Sequence, residues 1–275
     1  MLQPLFDVWP GPHDALTYRP NCAAAATLFP LLMRNLFLLA ALFFGSAAQS
    51  PPPTGPELIR QSIAYHDARG QWPKLQTRLN FTTTNPAGQT SPFEVELDNP
   101  AGYFCFISHR DGHEVIKAVV NGQEVLLLDG RADLSEAERK QYRLGAGMGQ
   151  TMRNYYTYLY GLPMKLQDAG ALVTPETKPQ TLLGQQYATA EVRYDPAVGT
   201  DSWTFYFDPQ TSALRAYRFA HNRTPNDGEY ITLSGELTVD GIRIPQERKW
   251  YRNDNDAFLA TDQLVSAEPL AKRRL

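Results

Sequence analysis

From residue 56 onward the apolar positions change their period several times. Leu58, Ile59, Ser62, Ile63 and His66 share one face at helical spacing, behind Pro56 and closed by Gly70. The period then drops to two. Leu75 to Phe81 alternates, as does Phe93 to Leu97, with Asn85-Pro86-Ala87-Gly88 as the turn between them. Tyr103 to His109, Val115 to Val120 and Glu124 to Leu128 follow, separated by Asp111-Gly112 and Asn121-Gly122. Two-residue hairpin turns need positive φ, which Asp-Gly and Asn-Gly tolerate, so these three runs form an antiparallel meander. Ser135 and Glu138 make a capping box for a helix to about Tyr142. A glycine-rich stretch, Leu144 to Gly149, precedes a tyrosine-rich helix from about Thr151 to Tyr160, stopped by Gly161-Leu162-Pro163. Six more strands complete the chain: Gln186 to Tyr194, Ser202 to Phe207, Leu214 to His221, Tyr230 to Val239, Ile244 to Arg252 and Ala257 to Val265.

The expected class is α+β, with a single antiparallel sheet of about eleven strands and about three helices. Sheets beyond about ten strands curl or split, so this one should curl and present a concave face that the helices cover.

The first fifty residues follow another logic. Met33-Arg34-Asn35 is a short positive region, Leu36 to Phe44 an apolar core, and Gly45-Ser46-Ala47-Ala48 a small-residue cleavage site. This is the pattern of a cleavable secretory signal, and its core is too short to span a bilayer as a helix. The expected organisation is an upstream extension plus signal over 1–48, with Met33 as the true start. A linker with Pro51-Pro52-Pro53 fills 49–55, a single domain 56–266, and a tail 267–275. The protein is expected in the periplasm or outside the cell, with no stable membrane span after cleavage near Ala48.

Composition narrows the chemistry. A net charge of −3, with no basic patch interleaved with aromatics, excludes a nucleic-acid binder. Of two cysteines, Cys22 precedes the cleavage site, so the mature domain keeps Cys105 alone, with neither an internal disulfide nor a cysteine-based metal cluster. No metal and no cofactor are expected. His109 and His113 look like a ligand pair, but an Asp111-Gly112 turn sets His109 opposite Glu114 and Arg110 opposite His113, so the two rings point apart. The glycines of 144–149 follow a helix and lack a following Lys-Ser or Lys-Thr, so they form a hinge and not a phosphate loop.

Two clusters remain as candidate sites. Tyr65-His66-Asp67 with Trp72 could supply a histidine base oriented by a carboxylate, or a helix-end histidine that packs and caps. Tyr155, Tyr156, Tyr158 and Tyr160 cover several faces of one short helix and either line an apolar groove or pack in the core.

The same segments carry a resemblance. Tyr65-His66-Asp67 with Trp72, Tyr158 to Leu166 with Asp168 and Gly170, Trp203 to Pro209, and Gly241-Ile242-Arg243-Ile244-Pro245 resemble an uncharacterised family of exported bacterial proteins of the Bacteroidetes type. The pattern is also similar to the outer-membrane lipoprotein-sorting (LolA/LolB-like) proteins. Ala68 and Ala169 stand where that pattern leads one to expect proline. The resemblance implies a half-barrel with helices over an apolar cavity that holds an acyl chain, and it implies no catalytic residue. The function expected is therefore non-enzymatic binding or carriage of a hydrophobic ligand, a lipid or lipoprotein acyl chain, with Tyr65, His66, Trp72, Tyr155, Tyr156, Tyr158 and Met164 as ligand contacts. The alternatives are an exported hydrolase using His66 and Asp67, and an envelope scaffold whose concave face holds a protein segment.

Overall fold

The structure, a computed structural model, describes residues 51–196, 199–221 and 226–275. The segment read as an upstream extension and signal lies outside them. In chain order the elements are α1 (Gly55–His66), β1 (Gln76–Thr84), β2 (Thr90–Asp98), β3 (Tyr103–Arg110), β4 (His113–Val120) and β5 (Gln123–Leu128). Next come α2 (Glu136–Gln141), α3 (Met148–Tyr160), β6 (Ala171–Val173), β7 (Lys178–Leu182), β8 (Gln185–Tyr194) and β9 (Ser202–Phe207). The chain ends with β10 (Leu214–Ala220), β11 (Glu229–Val239), β12 (Ile242–Arg252) and β13 (Phe258–Pro269).

All thirteen strands belong to one antiparallel sheet, in the order β5-β4-β3-β2-β1-β13-β12-β11-β10-β9-β8-β6, with β7 also paired to β8. One long-range pairing, β1 with β13, joins the two halves. The hairpin turns follow the sequence. Asp111-Gly112, Asn121-Gly122 and Asp240-Gly241 all take positive φ, and the register sets His109 opposite Glu114 and Arg110 opposite His113. The sheet exceeds the expected eleven strands by β6 and β7. The β7–β8 turn is Leu183-Gly184, with Leu183 at φ 50°, a position where Asn or Asp would have announced a hairpin.

Strand alternation assigns the faces. Leu79, Phe81, Phe93, Val95, Phe104 and Phe106 point inward with Trp203, Phe205, Tyr217, Ile231, Trp250 and Leu264, and all are buried in the main core. Helix α3 lies against this face. Tyr156 meets Phe93, Phe104 and Phe106 on β2 and β3, while Tyr158 meets Trp203 on β9 and Tyr194 on β8. β3 and β9 are seven strand spacings apart, about 33 Å in a flat sheet. One helix about 10 Å across reaches both only because the sheet curls around it.

The outer face carries a smaller apolar cluster of Tyr103, Cys105, Ile107, Ile116 and Ala118, with Leu270 of the C-terminal segment packed on it. Arg273 donates to the Asp98 carboxylate at 2.6 Å, and the Arg274 backbone N–H donates to Glu96 Oε2 at 2.9 Å. β13 runs to Pro269 and the residues after it are tied to β2 and β3, so the strand and its contacts extend past residue 266.

Candidate functional site

The α3 helix fills the concave face. Tyr155, Tyr156, Tyr158 and Tyr160 are each 6% exposed or less. Their rings leave the helix in different directions: Tyr155 stacks on Trp250, Tyr156 on Phe106, and Tyr160 lies 4.8 Å from Phe81, centroid to centroid. The Tyr158 hydroxyl shares a 2.6 Å hydrogen bond with that of Tyr194. Burial holds all four phenols well above the ordinary tyrosine pKa, so they stay neutral. Of the two readings open for this block, the structure gives core packing, with the rings occupying the space a groove would enclose.

Charged side chains of the sheet hold α3 at both ends. The Glu124 carboxylate on β5 accepts from the Gly147 and Gly149 backbone N–H groups at 2.9 and 2.6 Å. Arg248 on β12 donates to the Leu159 carbonyl at 3.3 Å and to the Pro245 carbonyl at 3.1 Å. An anion at the N-terminus and a cation at the C-terminus both complement the helix dipole. The Glu124 contact also explains why α3 starts at Met148, three residues before the expected Thr151.

More polar groups face inward among the aromatics. Asp262 on β13 lies beside Arg248 in the sheet register and is 3% exposed; burial pushes its carboxyl up to about 6, against the pull of Thr83 and the Arg248 charge. Burial likewise lifts Glu229 on β11 to about 7, opposed by the charges of His221 and Arg252. Lys117 on β4, 8% exposed, is lowered to about 8 by burial and by the charges of Arg143 and Arg110. None of these was singled out from the sequence. The available signal was alternation: Arg248 falls in register with Ile242, Ile244 and Trp250, and Lys117 with Val115 and Val119.

The second candidate cluster comes apart. His66 Nδ1 lies 2.7 Å from the Arg243 carbonyl, and Nε2 accepts from the Leu214 backbone N–H at 3.0 Å. Both ring nitrogens are therefore committed to backbone groups, with the proton on Nδ1, and burial lowers the His66 pKa. The Asp67 carboxylate accepts from Gln71 and Trp72 N–H at 2.7 and 2.8 Å, capping the turn that follows α1. Tyr65 points away from the core and donates to Glu236 at 2.9 Å, with Arg243 over its ring. Trp72 is in the core, and Met164 is partly buried against it.

These contacts bring together the segments that carried the resemblance. Gly161 lies so close to Trp72 that a Cβ there would stand 2.6 Å from the indole Cζ2. Gly241 is covered by the Arg69 guanidinium, and its neighbour Arg243 receives His66. The segments after α1, after α3 and around the β11–β12 turn thus form one structural knot.

Among the described residues no group of three His, Cys, Asp or Glu side chains could hold a metal ion, and no helix is long and apolar enough to cross a membrane. A polar cleft of about 110 Å³ lies between Thr174, Glu176, Lys178, Thr189 and Glu191, on the outer face near the β6–β7 edge.

These features define an α+β fold in which one open antiparallel sheet curls, as a half-barrel, around a plugging helix. The model of a family of unknown function, DUF6503, matches residues 33–267, and the chain belongs to that family. No curated protein sequence matches it significantly. Among solved structures it is similar to a LolA superfamily protein from Nitrosomonas europaea, with 11% identity, a TM-score of 0.46, and coverage of 81% of this chain and 94% of that one. It is also similar to a provisionally assigned outer-membrane lipoprotein-sorting domain from Vibrio parahaemolyticus, with 12% identity, a TM-score of 0.45, and coverage of 80% and 93%. A DUF1329 family protein from Desulfovibrio piger gives 7% identity, a TM-score of 0.44, and coverage of 80% and 95%.

Proposed function

We propose that the chain is an exported, non-enzymatic binder or carrier of a hydrophobic ligand, a lipid or lipoprotein acyl chain, in the cell envelope. The observation that carries this reading is the way α3 occupies the concave face. On this reading the helix whose tyrosines fill the curled apolar sheet, held at its ends by Glu124 and Arg248 and preceded by the glycines of 144–149, acts as a removable plug. An acyl chain entering beneath it would exchange ring–ring contacts for chain–ring contacts of similar energy, which keeps the exchange reversible. Tyr155, Tyr156, Tyr158, Trp72 and Met164 would line the opened space, and the neutral phenols would offer a few polar contacts within an apolar lining. Tyr65 and His66 fall outside that lining. The hydrolase alternative is disfavoured because His66 has neither a free nitrogen nor a contact with Asp67.

The test is native mass spectrometry and lipid extraction of the purified protein. Recovered lipid, or uptake of a fluorescent fatty acid, is expected. No extractable lipid together with no uptake would overturn the reading. Recovery of a protein segment in its place would favour the scaffold alternative.

A further inference from the structure

Lys117 is an anomaly within the concave face. It is directly opposite Phe106 on β3 and Leu126 on β5, so all three share the inner face. The side chain is 8% exposed, and its ammonium lies 5.9 Å from the Phe106 ring centroid. Among the described residues no carboxylate pairs with it and no acceptor reaches it. The charges acting on it are those of Arg143 and Arg110, both repulsive. A buried ammonium under repulsive charges is costly unless an anion joins it.

Its position adds a second observation. Lys117 lies at a seam between two apolar clusters. One side belongs to the main core, with Phe106 and Tyr156. The other is the satellite cluster of Val115, Leu128, Tyr142 and Leu144 beneath α2. The segment bridging the two, Leu144 to Gly149, contains three glycines, so the chain is most easily bent above the seam.

We propose that Lys117 holds the anionic headgroup of a single-chain amphiphile whose tail runs under α3 along Phe106 and Tyr156. This rests on the hydrophobic-ligand reading above and adds the chemistry of the headgroup. The tail would displace α3 from the core side of the seam, and the headgroup would supply the counter-charge that Lys117 lacks. A carboxylate and a phosphate monoester both meet that requirement, since the Lys117 ammonium can donate to an oxyanion of either.

The experiment measures dissociation constants for four probes by titration calorimetry on the purified full-length chain: oleate, oleoyl lysophosphatidate, oleyl alcohol and inorganic phosphate. Oleate or the lysophosphatidate should bind about tenfold or more tightly than oleyl alcohol, one charge-assisted contact being worth at least that factor. Lys117→Met should erase the difference, while Lys117→Arg keeps it. In the wild-type chain, bound oleate should also protect Lys117 from acetylation by acetic anhydride, read by peptide mass spectrometry, which covers the case of a variant that folds poorly. Equal affinity for oleate and oleyl alcohol, or a preference that survives Lys117→Met, would overturn the headgroup site and leave the carrier reading standing. Binding of inorganic phosphate with no gain from an acyl tail would overturn the amphiphile. Failure of every amphiphile to bind would overturn both readings together.

Discussion

Arg248 places its guanidinium 3.9 Å from the Tyr160 ring centroid while donating to the carbonyl of Leu159, the residue before it on α3. Its charge also opposes the burial that raises the Tyr160 and Tyr217 phenols. The side chain is 1% exposed, and its charge is balanced in part by Asp262 on the neighbouring strand. One arginine thus links the end of the plug to the floor of the half-barrel.

Removing that arginine should cost more than its hydrogen bonds. Arg248→Met orphans the buried Leu159 and Pro245 carbonyls, at about 1–3 kcal/mol each, and withdraws the charge that offsets the burial of Asp262. Arg248→Met with Asp262→Asn should recover part of that loss, because no lone charge then remains inside. Urea denaturation of the two single variants and the double variant would measure the coupling. Strictly additive losses would show that the two residues act independently.

The Asp262 carboxyl, raised to about 6 by burial, makes a directional prediction about pH. In the unfolded chain an aspartate ionises near 3.9. Between the two values the folded state holds a proton that the unfolded state has released, so stability falls as pH rises through that window. The loss is complete above about 6 and amounts to about 3 kcal/mol. Glu229, raised to about 7, acts in the same direction to a slightly higher pH. His66 opposes them: its lowered pKa gives stability that is present above about 6.5 and lost as pH falls. The clean measurement is therefore a difference. Asp262→Asn should gain on the wild type from about pH 4 to about pH 6 and level off above it, and a flat difference would contradict the burial of an ionisable Asp262.

His66 should behave as a structural residue. His66→Ala leaves the Leu214 N–H and the Arg243 carbonyl without their partner in a buried site. Each such orphan costs about 1–3 kcal/mol, so a loss of about 2–6 kcal/mol is expected in chemical denaturation. Ligand uptake at temperatures well below the melting point should be unchanged. Loss of uptake in a fully folded His66→Ala protein would return His66 to the binding site.

The legible part of this molecule is its hairpin skeleton. Asp111-Gly112, Asn121-Gly122 and Asp240-Gly241 name their own turns, and the register around His109 and His113 follows from two residues. β7 stayed hidden because Leu183 takes the left-handed position that usually advertises itself with Asn or Asp. The candidate site was harder to see for a related reason. Glu247-Arg248-Lys249 reads as a solvated run until strand alternation assigns Arg248 to the same face as Trp250. Nor does local spacing reveal that Trp72 and Gly161, 89 residues apart, meet in the folded chain.

That last contact is directly testable. Gly161 has an ordinary helical φ of −85°, so alanine there meets no backbone penalty. Its Cβ would nevertheless stand 2.5 Å from the Thr157 carbonyl oxygen and 2.6 Å from Trp72 Cζ2. Gly161→Ala should destabilise by about 1–3 kcal/mol through overpacking. Trp72→Phe, which withdraws the crowding ring, should relieve part of that loss in the double variant. A Gly161→Ala protein as stable as the wild type would mean that Trp72 is free to move aside.

The C-terminal segment gives the last expectation. Cys105 is fully buried on the outer face, and burial pushes its thiol up to about 12, so the native protein should resist thiol reagents at pH 8. The Leu270 side chain packs on the Cys105 cluster, while Arg273 and Arg274 tie the segment to Asp98, Glu96 and Glu114. Deleting residues 270–275 removes the apolar cover, two ion pairs and the backbone hydrogen bond to Glu96 in one step. It leaves Glu96, which is fully buried, with Arg78 and Tyr103 as its remaining partners. Local opening of β3 should then be favoured by more than 1.4 kcal/mol, and native-state labelling of Cys105 should accelerate by about tenfold or more. The inner face is built from the opposite side of the same strands, so ligand uptake should persist. Unchanged labelling in the truncated protein would show that β3 and β4 protect Cys105 unaided, leaving the arginine ties as surface pairs of little energetic weight.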